Sequence, residues 1–364
     1  MTPPSRVDQV IPAIVEHDAV SNHTFEAQRI LRDMGFASEI YARIIGPGCE
    51  GRVRPLEELP ARESRGQWLL YQSSIGSPAA DVFARHPSAK LLDYHNITPA
   101  PLVERWLPPL ADETRLGRAQ LKALAPLVRF AFADSAFNAA ELDDAGYSRT
   151  RVVPVLVDSG NIESLPDAAV LARLEGAKSR GGADWLFVGQ IAPHKAQHDI
   201  VKAFACYRRA YDPDARLHLV GREMGSAYIG AVRRFVDDLG LRGSVELTGS
   251  VPTAELAAYF TVADVFVCCS DHEGFCAPVV EAMHRGVPVV AYAAAALPET
   301  IGRGGVLLPS KSPTLVAAAV NEVLAASDLR DELVAAGARQ AARYTLDAAR
   351  AAFRAAINEA LSLP

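Results

Sequence analysis

The chain has 364 residues, enough for two domains, and its 49% hydrophobic and 22% charged residues are typical of a globular protein with sizeable cores. The formal net charge of −6 argues against a nucleic-acid-binding protein, because no broad positive field is present to attract phosphate. No apolar run approaches the roughly 20 residues that a membrane-spanning helix needs.

Cysteine usage and the first residues of the chain indicate a reducing compartment. The five cysteines are Cys49, Cys206, Cys268, Cys269 and Cys276. Their number is odd and no zinc-type CxxC spacing occurs, so we expect reduced, structural thiols. The first short apolar run is interrupted by Glu16 and His17, which is not the pattern of a signal peptide. We therefore expect a cytoplasmic protein, with peripheral contact to the inner face of the membrane left open.

Short apolar runs alternate with segments of helical periodicity along the whole chain, which predicts βα units and parallel sheets. The predicted strands, in chain order, are Val10–Val15, Ala37–Ala42, Trp68–Tyr71, Lys90–Tyr94, Arg129–Ala133, Arg151–Val155, Asp184–Val188, Ala215–Val220, Ser244–Leu247, Asp264–Cys268, Pro288–Tyr292 and Gly305–Leu308. Twelve strands are too many for one ordinary open sheet. An α/β chain with two Rossmann-like domains facing a cleft fits better.

The two series of strands predict the domain boundaries. We expect an N-terminal Rossmann-like domain over residues 1–166 and a C-terminal one over residues 167–343. A last helix over residues 344–364 is expected to pack back toward the N-terminal domain. The segment Asp167–Arg180 separates the two series and is the predicted linker region.

Two carboxylates stand out because of their setting. Glu273 follows the predicted buried strand Val265–Cys269, and Glu281 lies one turn into a helix that should begin near Pro278, since proline suits the first helical position. Open α/β sheets bind ligands at the carboxyl ends of their strands. The sequence therefore predicts that Glu273 and Glu281 hold different polyhydroxyl groups of one ligand.

A phosphate site is predicted at the start of the C-terminal domain. The segment Leu186–Lys195 has the pattern of a strand and a tight glycine turn, followed by a helix beginning near Lys195. A helix N-terminus offers unpaired backbone N–H groups to phosphate, and the lysine adds a full positive charge. The alternative interpretation is a solvated lysine on a first helical turn.

Several motifs recur in a familiar order. Three segments of the C-terminal half carry them, namely Val188–Lys195, Gly249–Pro252 with Glu255 and Leu256, and Glu273–Gly286 followed by Pro288–Val290. On these residues the chain resembles the retaining GT-B glycosyltransferases of family 4, the glycosyl transferases group 1. The resemblance covers most of residues 184–308. The N-terminal half matches more loosely, at Asp93–Asn96 and Asp134–Asn138.

The resemblance implies roles for four side chains in binding a nucleotide sugar. Glu281 matches the family glutamate that binds the ribose hydroxyls, and Glu273 matches the one that contacts the transferred hexose. Lys195 matches the lysine on the pyrophosphate. His95 matches the first-domain histidine that reaches across the cleft to the donor sugar. We expect His95, Lys195 and Glu273 to be the catalytic residues.

The wider donor site follows partly from the resemblance and partly from the residues. The resemblance places the backbone of residues 275–277 along the sugar and pyrophosphate, and residues 249–251 beside the nucleobase. The expected donor-binding residues are Gly189, Gln190, Lys195, Arg222, Gly249, Ser250, Val251, Glu273, Gly274, Phe275, Cys276, Ala277 and Glu281. On the acceptor side we expect Ser21, Asn22 and His95.

No metal or cofactor is expected. Positive groups and helix dipoles directed at a departing nucleoside diphosphate can stabilise its charge without a metal ion. The segment Asp212–Asp214 resembles a DxD metal motif, but it lies between a helix and a strand, where Pro and Asp are ordinary turn residues. Cys276 has no evident base beside it, which argues against nucleophilic catalysis.

Two departures from the family pattern bear on activity. Gln190 stands where the family usually has arginine. His194, Arg222 or another cation could supply the missing charge, and otherwise slow turnover or an unusual donor is expected. The loop after the first strand lacks the usual glycine pair, and Asn22 is predicted to cap the helix Asn22–Met34. Turnover is therefore less firmly predicted than the fold.

The sequence as a whole predicts a metal-independent retaining transferase. It would move a hexose from a UDP-sugar or GDP-mannose to a glycan, lipid-linked or small-molecule acceptor. The alternatives are a nucleotide-sugar epimerase on the same fold and a non-catalytic sugar-nucleotide sensor or partner subunit. The acceptor loops Gly46–Arg65 and Thr98–Pro126 contain no motif that identifies an acceptor. The basic stretch around Arg105–Leu110 could touch acceptor or membrane, but such a stretch is more commonly a solvated helix face. Neither the acceptor nor the oligomeric state follows from the sequence.

Overall fold

The computed structural model describes residues 5–16, 18–61, 66–156 and 164–362 and divides the chain into two compact units. The first unit comprises Met1–Pro101, Pro109–Asp158 and Tyr344–Pro364. The second comprises Leu102–Pro108 and Ser159–Arg343. This division differs from the predicted boundaries at two places, because residues 102–108 and the residues before 167 join the second unit.

The first unit is built on a seven-stranded parallel sheet in the order β3-β2-β1-β4-β5-β6-β7. Its strands are β1 (Arg6–Ile14), β2 (Ile40–Ile45), β3 (Arg54–Pro55), β4 (Gln67–Ser73), β5 (Ala89–Tyr94), β6 (Phe130–Ala133) and β7 (Thr150–Val152). The short edge strand β3 is not predicted from the sequence, because it has only two residues and one of them is proline. Proline has no backbone N–H to donate to a neighbouring strand. It is tolerated in an edge strand, where that position faces solvent.

Five α-helices from the described part of this unit cover the sheet. They are α1 (Ala19–Asp33), α2 (Pro78–Arg85), α3 (Pro108–Leu124), α4 (Ala136–Asp144) and, from the end of the chain, α13 (Leu346–Leu361). The predicted cap of α1 is wrong, because the helix begins three residues before Asn22. The Asp18 carboxylate accepts from the Ser21 N–H and caps it, while His17 lies outside the described residues. The predicted acceptor loop 98–126 is mostly the regular helix α3, and residues 62–65 of the other predicted loop also lie outside the described residues.

The last helix of the chain is part of the first unit's core. Helix α13 has its apolar face buried, and the fully buried ring of Phe353 lies 5.9 Å from the ring of Phe132 on β6. Trp68, Leu91 and Val153 belong to the same apolar cluster. Residues 344–364 therefore stabilise a sheet whose strands all precede residue 153 in the sequence.

The second unit is built on a six-stranded parallel sheet in the order β10-β9-β8-β11-β12-β13. Its strands are β8 (Asp184–Val188), β9 (Arg216–Val220), β10 (Val245–Gly249), β11 (Val265–Cys268), β12 (Val289–Tyr292) and β13 (Gly305–Leu308). The central strands are buried apolar runs, as expected for a parallel sheet covered on both faces.

Eight α-helices of the second unit lie within the described residues. They are α5 (Ala168–Lys178), α6 (Gln197–Ala210), α7 (Ser226–Asp238), α8 (Thr253–Val262), α9 (Ala277–His284), α10 (Leu297–Ile301), α11 (Pro313–Ala325) and α12 (Ser327–Ala341). The predicted linker 167–180 is wrong as a linker, because it forms α5, capped by the Asp167 side chain and packed against α8. The core is centred on the fully buried Trp185, whose ring lies 5.5 Å from Phe204 and 5.0 Å from Tyr207.

Within the described residues, no helix combines the length and the apolar character that crossing a membrane requires. The sequence left membrane contact open for the basic stretch around Arg105–Leu110. Residues 102–108, which overlap this stretch, belong to the second unit. Trp106 packs edge-on against Tyr228 at 5.6 Å, and the guanidinium of Arg105 lies 5.6 Å from the Trp106 ring centre.

Candidate functional site

The strand order of the second unit brings two separate loops together. Strand β8 lies between β9 and β11, so the loops that follow β8 and β11 emerge side by side at the carboxyl edge of the sheet. At this point the sheet order changes direction, which is where open α/β sheets bind their ligands. Lys195 lies on the first loop and Glu273 on the second. The backbone N–H of Asp271 donates to the carbonyl of His194 at 2.8 Å and ties the loops together.

The two loops place a buried ion pair at their junction. The Lys195 Nζ donates to Oε2 of Glu273 at 2.6 Å, and both side chains are largely buried. Burial lowers the pKa of Lys195, but the neighbouring Glu273 carboxylate outweighs it, so that the pKa is raised and the ammonium charge is retained. Lys195 does not start a helix as predicted. It ends a short 3-10 turn, Pro193–Lys195, and α6 begins at Gln197.

Glycines let the adjacent strand ends approach closely. The N–H of Gly189 donates to the Val220 carbonyl at 2.9 Å, and the N–H of Gly221 donates to the Gly249 carbonyl at 3.0 Å. Gly221 has φ 144°, and a Cβ there would lie 2.0 Å from the Gly189 carbonyl oxygen. The predicted glycines 189 and 249 therefore belong to one continuous backbone surface over three neighbouring strands.

Glu281 is a buried carboxylate of a different kind. It lies on α9 with 8% of its surface exposed, and no hydrogen bond or ion pair reaches its side chain from the described residues. Burial raises the pKa of Glu281 to about 7, and the charge of Arg285 opposes this only in part. A buried carboxyl without a partner is costly unless a ligand supplies hydrogen-bond donors.

Backbone strain is concentrated at the carboxyl edges of the two sheets. In the described part of the chain, the residues other than glycine with positive φ are Asn96 (72°), Ala196 (52°), Cys276 (73°) and Ala295 (50°). Each lies in the loop that follows a strand, namely β5, β8, β11 or β12. Such conformations cost on the order of 1–3 kcal/mol and cluster at functional sites. The sequence did not reveal them, because none is a glycine.

Comparisons with known proteins agree with this geometry. Residues 175–340 match the family model described as Glycosyl transferases group 1. These residues form a glycosyl transferases group 1 domain.

Two curated relatives extend the match beyond the domain. A D-inositol 3-phosphate glycosyltransferase of Geodermatophilus obscurus is 32% identical over 257 residues, covering 67% of this chain and 56% of the relative. A GDP-mannose-dependent alpha-(1-6)-phosphatidylinositol monomannoside mannosyltransferase of Mycobacterium tuberculosis is 32% identical over 214 residues, covering 53% of this chain and 54% of the relative. The chain thus spans slightly more than half the length of these relatives.

Solved structures show the fold over nearly the whole chain. Sucrose-phosphate synthase from Thermosynechococcus elongatus has a TM-score of 0.76 at 18% identity and covers 97% of this chain and 98% of its own. The Anabaena protein HepE, solved with UDP and glucose, has a TM-score of 0.76 at 16% identity and covers 99% of this chain and 100% of its own. The fold class is that of GT-B glycosyltransferases, with two Rossmann-like units and parallel sheets, as the sequence predicted.

The cation expected beside Lys195 in this group 1 domain is not supplied by His194. Burial and the charge of Lys195 hold the pKa of His194 well below its usual value, so the ring is neutral. Gln190 is half-buried, and its carbonyl accepts from the Gln197 side chain at 2.9 Å. Arg222 is exposed, and its carbonyl accepts from the Ile191 N–H. The turn that carries Gln190 is therefore fixed by the Gln197 side chain and by backbone hydrogen bonds rather than by an extra charge.

The remaining predicted donor residues lie on the same edge of the group 1 domain. Ser250 is exposed and Val251 half-buried directly after β10. Residues 274–277 connect the loop after β11 to the first turn of α9, where Pro278 occupies the early helical position that the sequence predicted. The Thr300 hydroxyl donates to the Phe275 carbonyl at 2.7 Å and holds this connection in place.

In the first unit, His95 follows β5 and lies in a buried hydrogen-bond network. The Gln9 amide donates to the Thr24 carbonyl at 3.0 Å, so its oxygen must accept from Gln72 at 2.7 Å. The Gln72 oxygen then accepts from Nε2 of His95 at 2.6 Å, while Nδ1 faces the Asp134 carboxylate at 3.1 Å. Both ring nitrogens therefore carry protons.

The electrostatics of His95 agree with this proton count. Burial alone would lower its pKa, but the charges of Asp134 and Asp93 raise the pKa of His95 to about 9. The Oδ2 of Asp93 contacts Nε2 of His23, 70 residues away in sequence, at 2.9 Å. The His23 ring packs edge-on against His95 at 4.7 Å.

The other two predicted acceptor-side residues lie after β1. The Ser21 hydroxyl is fully buried, accepts from the Val15 N–H and donates to Asp18. Asn22 lines a cavity of about 260 Å³ within the first unit, together with Glu16, Arg29 and Arg52 among others. Asn22 therefore borders open space, whereas Ser21 holds the loop.

The sequence analysis missed two supporting side chains. The Nζ of Lys311 contacts Asp271 at 2.6 Å and Asp199 at 2.8 Å, fixing the loop that carries Glu273. Gln197 accepts from the Ala192 N–H at 3.2 Å and donates to Gln190. Lys311 follows strand β13, so its position after a strand could have indicated it, but its acidic partners come from distant segments.

Proposed function

We propose that this chain is a metal-independent, retaining glycosyltransferase that takes a hexose from a nucleotide sugar. The donor is a UDP-sugar or GDP-mannose, and the acceptor is a glycan, a lipid-linked sugar or a small molecule. Residues 175–340 would hold the donor. The relatives named above are a glycosyltransferase and a GDP-mannose-dependent mannosyltransferase, and HepE was solved with UDP and glucose. These names support the substrate class.

The observation that carries this proposal is the set of three charged side chains at one sheet edge. Lys195 and Glu273 form a 2.6 Å pair, and Glu281 is buried without a partner among the described residues. In the proposed complex, the donor pyrophosphate contacts Lys195 and the hexose hydroxyls donate to Glu273. The ribose hydroxyls donate to Glu281. Each contact is a charge-assisted hydrogen bond, contributing about 1.5–3 kcal/mol.

The proposed chemistry needs no nucleophilic carboxylate. The departing diphosphate gains negative charge. Lys195 and the N-terminus of α9 are already in position before the reaction and would stabilise that charge. In front-face attack the departing phosphate takes the acceptor proton, so Glu273 only orients the hexose. In the first unit, Asn22, which lines the cavity, is the residue proposed for the acceptor side. Excess EDTA should leave the transfer rate unchanged, and loss of activity that Mg²⁺ or Mn²⁺ restores would contradict the metal-free mechanism.

Thermal stabilisation by nucleotides tests the proposal first. UDP, GDP, ADP and dTDP are each titrated against the wild type, Glu281→Ala and, as a control from the same helix, His284→Ala, whose side chain is exposed. A ligand at 100 times its Kd stabilises by about 2.7 kcal/mol. We expect one nucleotide to raise the Tm of the wild type and of His284→Ala but not of Glu281→Ala. Stabilisation by none of the four would overturn the donor assignment.

Transfer itself is tested with the nucleotide sugar that this screen selects. Product formed only when an acceptor is present supports a transferase, whereas an isomerised sugar formed without acceptor would support an epimerase. We also propose a cytoplasmic location with peripheral contact to the inner face of the membrane. All five cysteines are free thiols, which suits a reducing compartment. Cell fractionation and flotation with anionic vesicles test the location and the contact separately.

A further inference from the structure

Two thiols meet the Glu273 carboxylate beside the ion pair of the second unit. The Sγ atoms of Cys268 and Cys276 and one carboxylate oxygen of Glu273 all lie within 4.8 Å of one another. The Cys268 thiol donates to the Ser270 hydroxyl at 3.3 Å. The proposed transfer reaction has no use for either sulfur atom.

The fold fixes these groups before any ligand arrives. Cys268 is the last residue of β11, and Cys276 is the cap of α9 with φ 73°. The loop between them is held by the contact from Asp271 to His194 and by the hydroxyl of Thr300. The neighbouring Cys269 belongs instead to the apolar core, because successive side chains along a strand point to opposite faces.

The donor set suits a soft divalent cation. Zinc binds thiolate sulfur at about 2.3 Å and carboxylate oxygen at about 2.0–2.2 Å, and three protein ligands leave a fourth position open. Two thiolates and the Glu273 carboxylate carry three negative charges, and Lys195 carries one positive charge. A divalent cation therefore neutralises the cluster, and the two thiol protons go to solvent. The second Glu273 oxygen can keep its hydrogen bond to Lys195, which orients the carboxylate.

We propose that Cys268, Glu273 and Cys276 form a binding site for a soft divalent cation such as Zn²⁺. The cation is an inhibitor rather than a cofactor, because it occupies the carboxylate that the donor hexose needs. The inhibitory consequence rests on the proposed function, whereas the site itself rests on the three ligand atoms.

Cobalt binding to the purified, fully reduced full-length chain tests the site without an activity assay. Co²⁺ reports thiolate ligation by sulfur-to-metal charge-transfer absorption, and a phosphine reductant keeps the thiols free without strong competition for the metal. We expect one equivalent to bind with this absorption and to be displaced by Zn²⁺. Cys276→Ser and Cys268→Ser should each weaken binding more than about 100-fold, and Glu273→Gln at least about tenfold. Absorption that is absent from the wild type would overturn the site.

Matched variants separate this site from other thiols. Cys269→Ser changes the adjacent thiol, directly after the end of β11, and Cys206→Ser changes a half-buried thiol on α6. Both should keep wild-type cobalt affinity. Equal cobalt binding in Cys276→Ser and the wild type would overturn the proposal. Because Cys276 is only half-buried, this variant keeps the test valid even where Cys268→Ser does not fold.

Competition between cobalt and the selected nucleotide sugar is measured last. Cobalt bound through both sulfurs without competition would leave the metal site standing and contradict the overlap with the donor.

Discussion

The two units bury charged side chains at equivalent places, the carboxyl edges of their parallel sheets, but they neutralise those charges differently. In the first unit, both ring nitrogens of His95 have partners, and His23 lies between Asp93 and a backbone N–H. In the second unit, Glu281 has no partner among the described residues and its pKa is raised to about 7. In the first unit the Oδ1 of Asp93 is buried without a hydrogen bond among the described residues, but its Oδ2 is paired with His23. A carboxyl paired within the fold stabilises it, whereas an unpaired one is stabilised only when a ligand binds.

The largest expected effect is on the stability of the first unit. His95→Asn should cost about 3–5 kcal/mol of unfolding free energy, because removing one partner leaves Asp134 as a buried unpaired charge. The folded-state pKa of about 9 lies above the usual 6.5, so this stabilisation is complete below pH 6.5 and lost as the pH rises through about 9. Urea unfolding of wild type and variant from pH 6 to 10 measures both effects.

The exposed His284→Asn serves as the control for this substitution and should change stability by less than about 0.5 kcal/mol. A His95→Asn protein with wild-type stability but little transfer activity would show that the histidine acts on the substrate instead. Both units would then use a buried charged side chain to act on a ligand, although their hydrogen-bond networks differ.

The next effect is on catalysis by the second unit. Lys195→Ala should lower kcat/KM by about 10²–10³-fold, because in the proposed mechanism it removes a positive group aimed at the departing diphosphate. Lys202→Ala is the matched control, since Lys202 forms a partly exposed pair with Asp199, of a kind worth only about 0–1 kcal/mol. Steady-state transfer rates at several donor concentrations distinguish the two. Wild-type turnover in Lys195→Ala would remove the lysine from the mechanism.

The smallest effect is the pH dependence of donor binding. In the proposed complex the ribose hydroxyls donate to an ionised Glu281, so a pKa of about 7 predicts that nucleotide-sugar affinity falls about tenfold from pH 8 to pH 6. A nucleotide sugar is the right probe, because its diphosphate has no ionisation of its own in that range. Isothermal titration should show this dependence in the wild type and a flat, weak affinity in Glu281→Gln.

The same variant sharpens the comparison between the units. The pKa of Glu281 is raised above 4.5, so the ligand-free protein loses stability as the pH rises from about 4.5 through about 7. Glu281→Gln removes this loss and should be at least as stable as the wild type at pH 8. A variant clearly less stable than the wild type at pH 8 would place Glu281 among the structural charges, like those of the first unit.

The sequence by itself determined the alternation of strands and helices, the fold class and the edge of the second unit on which the site lies. These follow from local patterns, since apolar runs predict buried strands and the glycine and proline around residues 274–278 fix a turn and a helix start. Prediction failed where the structure depends on residues far apart in sequence. One example is the helix at 168–178 in place of the predicted linker, which packs against α8.

Only the tertiary structure decided which charges have partners. The pair between Lys195 and Glu273 spans 78 residues, and the contact of His23 with Asp93 spans 70. Neither separation leaves a periodic pattern, because strand order rather than spacing brings the loops together. The surrounding fold likewise leaves the Glu281 side chain without a hydrogen-bond partner among the described residues. It also sets the left-handed backbone conformation of Cys276. The sequence predicted that the candidate site lies at the carboxyl edge of the sheet. The order of the strands brings the loops that carry Lys195 and Glu273 together there.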